Sequence, residues 1–250
     1  LEKHPQIGFS DDAYLPVVAE CDDSTLNDLN GFHVKDRELQ AALNSASSGF
    51  IEEGAVGAGT GMTCYGFKGG IGSASRLIDL ESKQYVLGVL VNSNHGQCRQ
   101  LLINGIPVGR ILSAENENAA VKNKEGSIVM ILATDAPCNQ RQLERLAKRA
   151  CLGLARTGSI AANGSGDFAI AISLGRRIAR SSNSPVLNLP EIHNDFINSF
   201  FEAAAEATEE AVLNSLFCAS SLSGRDSNHV SELPVERCLQ ILTAAGALTN

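Results

Sequence analysis

The stretch 126–137, Gly-Ser-Ile-Val-Met-Ile-Leu-Ala-Thr-Asp-Ala-Pro, limits what this chain can fold into more than any other. Five large apolar residues in succession, Ile128 to Leu132, fit a buried strand, and Thr134-Asp135-Ala136-Pro137 ends it as a turn. The segment before it, 114–125, is crowded with Asn, Glu and Lys and fits an exposed loop. An accessible loop therefore runs straight into a core strand at Gly126-Ser127. As a pattern this describes any loop that enters a strand. A sharper reading is that the peptide bond between Gly126 and Ser127 is cut, which makes Ser127 a new amino terminus.

Length and charge bound the rest. A chain of 250 residues can bury a sizeable core within one α/β domain. Its net charge of -8, with no run of more than two Lys or Arg, argues against a nucleic-acid footprint and against a basic membrane-surface patch. Small soluble partners are expected instead. The seven cysteines are odd in number and form no C-x-x-C pair, so neither a disulfide framework nor a zinc site is indicated. A reducing compartment such as the cytoplasm fits that usage. No apolar stretch approaches the roughly 20 residues of a membrane-spanning helix.

Taken in order, 13–20 reads as a short strand ending at Glu20, followed by the acidic run Glu20-Cys21-Asp22-Asp23, which as a pattern is a solvated turn. Residues 36–48 read as a scaffold helix, with Leu39, Ala42, Leu43 and Ala46 at helical spacing and Asp36 as its cap. The segment 49–75 is rich in glycine but lacks the dinucleotide fingerprint. Its glycines fit close backbone approach and tight turns, while Met62, Phe67 and Lys68 read as packing and surface residues. The runs 71–80 and 85–91 form a hairpin broken at Glu81-Ser82-Lys83, and the second leads to Asn94 and His95, the latter read as a surface or supporting histidine. Amphipathic spacing predicts a helix over 139–156, with Leu143, Leu146, Ala147, Ala150, Cys151 and Leu154 on one face. A strand follows over 168–172, an alanine-rich helix over 195–219 that should pack closely on a sheet, and a last helix over 234–245 with proline in its first turn. Asn214-Ser215 lies inside a helical pattern, a poor setting for a cleavage pair.

Several of these segments occur together in a recognisable order: Leu26-Asn27-Asp28, Gly57-Ala58-Gly59-Thr60-Gly61-Met62, Phe67-Lys68-Gly69-Gly70-Ile71-Gly72, the Gly126-Ser127 strand, and Asn163-Gly164-Ser165-Gly166-Asp167. In this the chain resembles the DmpA and β-peptidyl aminopeptidase family of self-processing enzymes with an N-terminal serine nucleophile. The resemblance implies a four-layer αββα sandwich, two sheets between helical layers, shared with ornithine acetyltransferases. It also implies that a segment preceding His4-Pro5-Gln6-Ile7-Gly8 in family members is missing here, leaving a sheet edge or part of the core uncovered.

Roles follow from the same resemblance, residue by residue. Gly126 and Ser127 match the processing pair, with Ser127 the nucleophile, so that processing would give 1–126 and 127–250. Asn94 matches the side-chain donor to the oxyanion. Ser165 and Asp167, 38 and 40 residues after Ser127, match a Ser-x-acid pair that orients the nucleophile. Glu20, and with it Asp22, would bind the substrate's free ammonium; the aromatic hydroxyl that some relatives carry near Asp22 has no tyrosine to match it. The freed α-amine, a group that ordinarily titrates at about 7.7 to 8.0, would act as base for its own hydroxyl, so the chemistry needs neither a histidine nor a metal or cofactor. Substrates would be short peptides or aminoacyl amides, and the processed halves would assemble as a homo-oligomer. Two rivals stand beside this reading: an acyltransferase of the same fold, disfavoured because it would use threonine at the junction, and a truncated, non-catalytic remnant.

Overall fold

The computed structural model describes residues 17–81, 83–115, 126–179 and 183–248. In chain order its elements are α1 (Asp36–Ser45), β1 (Thr63–Cys64), β2 (Phe67–Lys68), β3 (Gly70–Leu80), β4 (Lys83–Asn94), α2 (Val108–Glu115), β5 (Ser127–Thr134), α3 (Gln140–Arg156), β6 (Gly166–Ser173), α4 (Ile197–Phe217), β7 (Leu222–Ser223), β8 (His229–Val230) and α5 (Val235–Ala244). The protein is an α/β structure around a mixed four-stranded sheet in the order β3-β4-β5-β6. The first three strands are antiparallel neighbours, and β6 joins parallel to β5.

The expected hairpin is present as β3 and β4, paired from Gly70 opposite Ser93 to Leu80 opposite Lys83. Along β4, Tyr85, Leu87, Val89 and Val91 are buried on one face, and on β5 Ile128, Met130 and Leu132 join them. Alternation by two places all of these on the same side. Helix α4 covers that side over β3 and β4, and α3 packs beside it against β6. The alanines do what the sequence leads one to expect: Ala203, Ala204, Ala207 and Ala211 are buried, which lets the α4 backbone lie close to the sheet. Gly72 is the other half of that contact, because a Cβ there would stand 1.9 Å from the Ala211 carbonyl oxygen. Ser215 is buried inside α4, so the Asn214-Ser215 pair is part of the core helix.

Helix α3 covers the stretch that amphipathic spacing predicts. Asn139 accepts from the Gln142 N–H while the Gln142 side chain accepts from the Asn139 N–H, a reciprocal cap that satisfies two donors at the helix start. Its buried face runs through Leu146, Ala150 and Leu154; Cys151, expected there, is exposed, lying about 100° around the helix from Ala150 at the middle of that line. Val108 and Leu112 from α2 and Cys238, Ile241 and Leu242 from α5 belong to the same core.

Two expectations change. Val17 and Val18 are exposed and form no strand, having no partner strand among the described residues. Helix α1 forms, but Lys35 rather than Asp36 occupies the cap position, and Leu39 and Leu43 face solvent. Of the four expected layers, the four-stranded sheet and the α3–α4 layer on one side of it stand among the described residues, with two small two-stranded sheets, β1-β2 and β7-β8, besides. The opposite face of that sheet is apolar yet open, with Leu77 64% and Phe168 54% exposed, and Val86 and Ile172 exposed beside them. Strands apolar on both faces are those of a sheet covered on both sides.

Candidate functional site

Three strand ends meet at one edge of the open face. Asn94 closes β4, Ser127 opens β5 and Gly166 opens β6. In the ladder Ser127 stands directly opposite Asn94 on one side and opposite Gly166 on the other. The pleat therefore turns the side chains of Asn94 and Ser127 to the same face. The Ser127 hydroxyl oxygen is buried and makes no hydrogen bond of full geometry, although the Cys21 thiol lies close enough to feel it and the residue as a whole is half-buried.

The peptide bond before Ser127 is held from both sides. The Gly166 N–H donates to the Gly126 carbonyl oxygen at 3.0 Å. On the other side, a Cβ on Gly126 would meet the His95 Cα at 2.8 Å and the Asn94 carbonyl oxygen at 2.9 Å, so only glycine allows the strands to close here. Sequence reasoning missed Gly166, because a main-chain donor has no letter of its own; its neighbours Ser165 and Asp167 drew the attention instead.

Asn94 is buried and its carboxamide is fixed at both ends. Oδ1 accepts from the Thr63 N–H at 2.8 Å, and Nδ2 donates to the Asp22 carbonyl oxygen at 2.7 Å. The amide nitrogen has two hydrogens, so one remains for a third partner. Beyond β5, the Ser165 hydroxyl donates to Asp167 Oδ1 at 2.6 Å, while Asp167 Oδ2 is buried with no partner. A half-satisfied buried carboxylate favours a cationic neighbour.

The acidic run passes over this edge with one apolar residue turned inward. Cys21 is buried against Met62 and Val129, and its thiol donates to the Asn92 carbonyl oxygen at 3.5 Å. Burial pushes the Cys21 thiol up; the Ser127 hydroxyl and the Val129 backbone oppose that rise, and the Glu20 and Asp167 carboxylates add to it. The readable signal for Cys21 was a lone apolar letter among acids. Glu20 itself is exposed, and the Asp22 carboxylate accepts from the Ser24 N–H at 2.8 Å, so it is the Asp22 carbonyl that reaches Asn94.

Burial removes one of the two readings for one residue and reverses the reading of another. His95 is 1% exposed, not at the surface, and its ring lies edge-on to Tyr65 with centroids 5.0 Å apart. Burial pushes His95 down to about 4, so it is neutral near pH 7, and its Nε2 is buried without a partner. Lys68, read as a surface residue, is also fully buried. Among the described residues no three His, Cys, Asp or Glu side chains are placed to share a metal ion, and no helix is long and apolar enough to cross a membrane.

Comparison with known proteins adds a family to this geometry. The family model described as Peptidase family S58 matches residues 1–230. The beta-peptidyl aminopeptidase BapA of Sphingosinicella microcystinivorans is 42% identical over 233 residues, 88% of this chain and 59% of its own. The PH0078 protein from Pyrococcus horikoshii OT3 is 46% identical with a TM-score of 0.90 over 98% of this chain and 67% of that one. The L-aminopeptidase D-Ala-esterase/amidase of Ochrobactrum anthropi, described as a prototype for the serine aminopeptidases and a new variant among the Ntn hydrolase fold, is 37% identical with a TM-score of 0.83, covering 91% and 62% of the two chains. The chain spans about 60% of the length of the curated relatives it matches. With one family model over nearly its whole length and relatives well above 30% identity, the chain belongs to peptidase family S58.

Proposed function

We propose that this chain belongs to a self-processing aminopeptidase that hydrolyses the bond after an N-terminal amino acid in short peptides and in aminoacyl amides or esters. The observation that supports it most is the setting of Ser127. A buried hydroxyl stands opposite an amide donor, and the carbonyl just before it is already gripped by a main-chain N–H. Family membership and the names of the relatives point the same way.

In processing, Ser127 Oγ attacks the Gly126 carbonyl carbon, and the Gly126–Ser127 C–N bond breaks to leave an ester and a free α-amine. Water then splits the ester, giving a carboxylate on Gly126 and restoring the Ser127 hydroxyl. Residues 1–126 and 127–250 are the two products. An α-amine ordinarily titrates at about 7.7 to 8.0, so a good part of it is neutral near neutral pH and takes the hydroxyl proton when a substrate carbonyl is attacked. Glu20 holds the substrate ammonium, with Asp22 beside it. Asn94 donates to the oxyanion, and the Ser165–Asp167 pair orients the new terminus. An acyl-enzyme on Ser127 forms as the amine leaves, and water releases the amino acid.

A panel of α- and β-aminoacyl p-nitroanilides tests the reading. Full-length protein is expected to hydrolyse at least one member, and Ser127→Ala to hydrolyse none. Equal turnover by both proteins would contradict the assignment of Ser127.

A further inference from the structure

Lys68 is the one lysine among the described residues that is fully buried, at 0% exposure. Removing an ammonium from water is costly unless each of its hydrogens finds an acceptor. Here all three do: Nζ donates to the carbonyl oxygens of Gly59 at 3.0 Å, Met62 at 2.8 Å and Gly69 at 2.7 Å. Every acceptor is a neutral peptide group. The charge thus draws the glycine-rich loop around itself, in a segment with few side chains to hold it together.

One of those bonds leads further. The Met62 carbonyl shares its peptide group with the Thr63 N–H, and that N–H donates to Asn94 Oδ1 at 2.8 Å. The path runs from the Lys68 ammonium to the Met62 oxygen, across the planar peptide to the Thr63 hydrogen, and on to the Asn94 carboxamide. Hydrogen bonds in such a chain polarise one another, and a full positive charge at its head draws electron density along it. Two effects reach Asn94. Its Oδ1 is fixed toward Thr63, which turns Nδ2 the other way, and its remaining N–H becomes a stronger donor.

We infer that Lys68 is a positioning residue for Asn94, setting the orientation and donor strength of that carboxamide through the Met62–Thr63 peptide. This rests on the reading of Asn94 as the oxyanion donor. A loop staple alone would need only the bonds to Gly59 and Gly69; the bond to Met62 is the one that couples the charge to the site.

The test is a double-mutant cycle in the full-length protein with Lys68→Met, Asn94→Ala and both together, each checked for folding by circular dichroism. The readouts are kcat and KM on an aminoacyl p-nitroanilide, or the self-cleavage rate where a variant stays uncut. Asn94→Ala is expected to lower kcat by on the order of 10²- to 10³-fold. Lys68→Met should lower kcat by roughly 10- to 100-fold with KM nearly unchanged, and the double variant should match Asn94→Ala alone. An unaltered kcat in Lys68→Met, or losses that multiply in the double variant, would overturn the inference while leaving Asn94 in its role. An unaltered kcat in Asn94→Ala would instead remove the donor reading and this inference with it.

Where Lys68→Met does not fold, intact Ser127→Ala protein answers by NMR between pH 7 and 9. Burial pushes Lys68 down to about 8, so it titrates in that window. Of the groups facing this corner, Cys64 is pushed up to about 12, Tyr65 and Cys21 are raised, and His95 lies near 4, so the lysine is the one that changes charge. The Thr63 amide and the Asn94 side-chain amide should shift with the Lys68 titration. Signals that stay still while Lys68 loses its proton would overturn the inference.

Discussion

The backbone N–H of Gly166 donates to the carbonyl oxygen of Gly126 at 3.0 Å, on the one peptide bond whose cleavage would expose Ser127 as an amino terminus. That contact belongs to the parallel ladder between β5 and β6, so the sheet itself aligns the carbonyl. Gly126→Ala would force a Cβ to within 2.8 Å of the His95 Cα and 2.9 Å of the Asn94 carbonyl oxygen, main-chain atoms that do not yield easily. The variant is expected to pull the carbonyl off its donor and slow self-cleavage by on the order of 10²-fold. A gel time course measures this, and cleavage at the unaltered rate would detach the Gly166 contact from the reaction.

Ser165 matters through Asp167. Its hydroxyl is the partner of Asp167 Oδ1, and Oδ2 already lacks one. Ser165→Ala leaves the half-buried Asp167 carboxylate without its hydroxyl partner, at a cost of about 1 kcal/mol in stability. Urea denaturation of the uncut Ser127→Ala background with and without Ser165→Ala reads the difference. A change below about 0.5 kcal/mol would show that solvent replaces the hydroxyl.

His95 makes stability depend on acid. Its ordinary value of 6.5 falls to about 4 in the folded chain because burial disfavours the charged ring. Between those values the unfolded chain binds a proton that the folded chain does not. Stability is therefore whole above the ordinary histidine range and is lost as pH falls from there toward the folded value, by roughly 3 kcal/mol at most at 1.36 kcal/mol per pH unit. His95→Phe, which keeps a ring against Tyr65, should flatten the difference between urea midpoints at pH 7 and pH 4.5. Equal pH dependence in both proteins would contradict the assignment.

Gly72 tests how the helical layer sits. Replacing it with alanine places a Cβ 1.9 Å from the Ala211 carbonyl oxygen, so α4 has to move off β3. A loss of about 1 to 3 kcal/mol is expected from overpacking of this kind. An unchanged thermal midpoint would mean that the helix is free to shift.

Where side chains repeat with a period, the sequence was easy to read. The hairpin of β3 and β4, the amphipathic helix α3, the alanine face of α4 and the Gly126-Ser127 strand all announce themselves by spacing or composition, and all are present. Ser127, Asn94, Ser165 and Asp167 were found through resemblance, and the sheet register brings them to one edge. Other features had no such letter. Gly166 acts through a main-chain N–H, Cys21 looks like a break in an acidic run, and Lys68 has the most surface-loving side chain there is, buried only because a loop supplies three carbonyls. Leu39, Leu43, Val17 and Val18 misled in the opposite sense: their apolar spacing pointed to burial, yet the described residues offer them nothing to pack against.

Both the proposed processing and the proposed peptidase chemistry hinge on the bond between Gly126 and Ser127. Intact-mass analysis and N-terminal sequencing of the purified full-length protein, beside its Ser127→Ala variant, test it directly. The expected result is two polypeptides from the unaltered protein, one beginning Ser-Ile-Val-Met, and a single uncut chain from the variant. One uncut chain from both, or a break at any other bond, would contradict it.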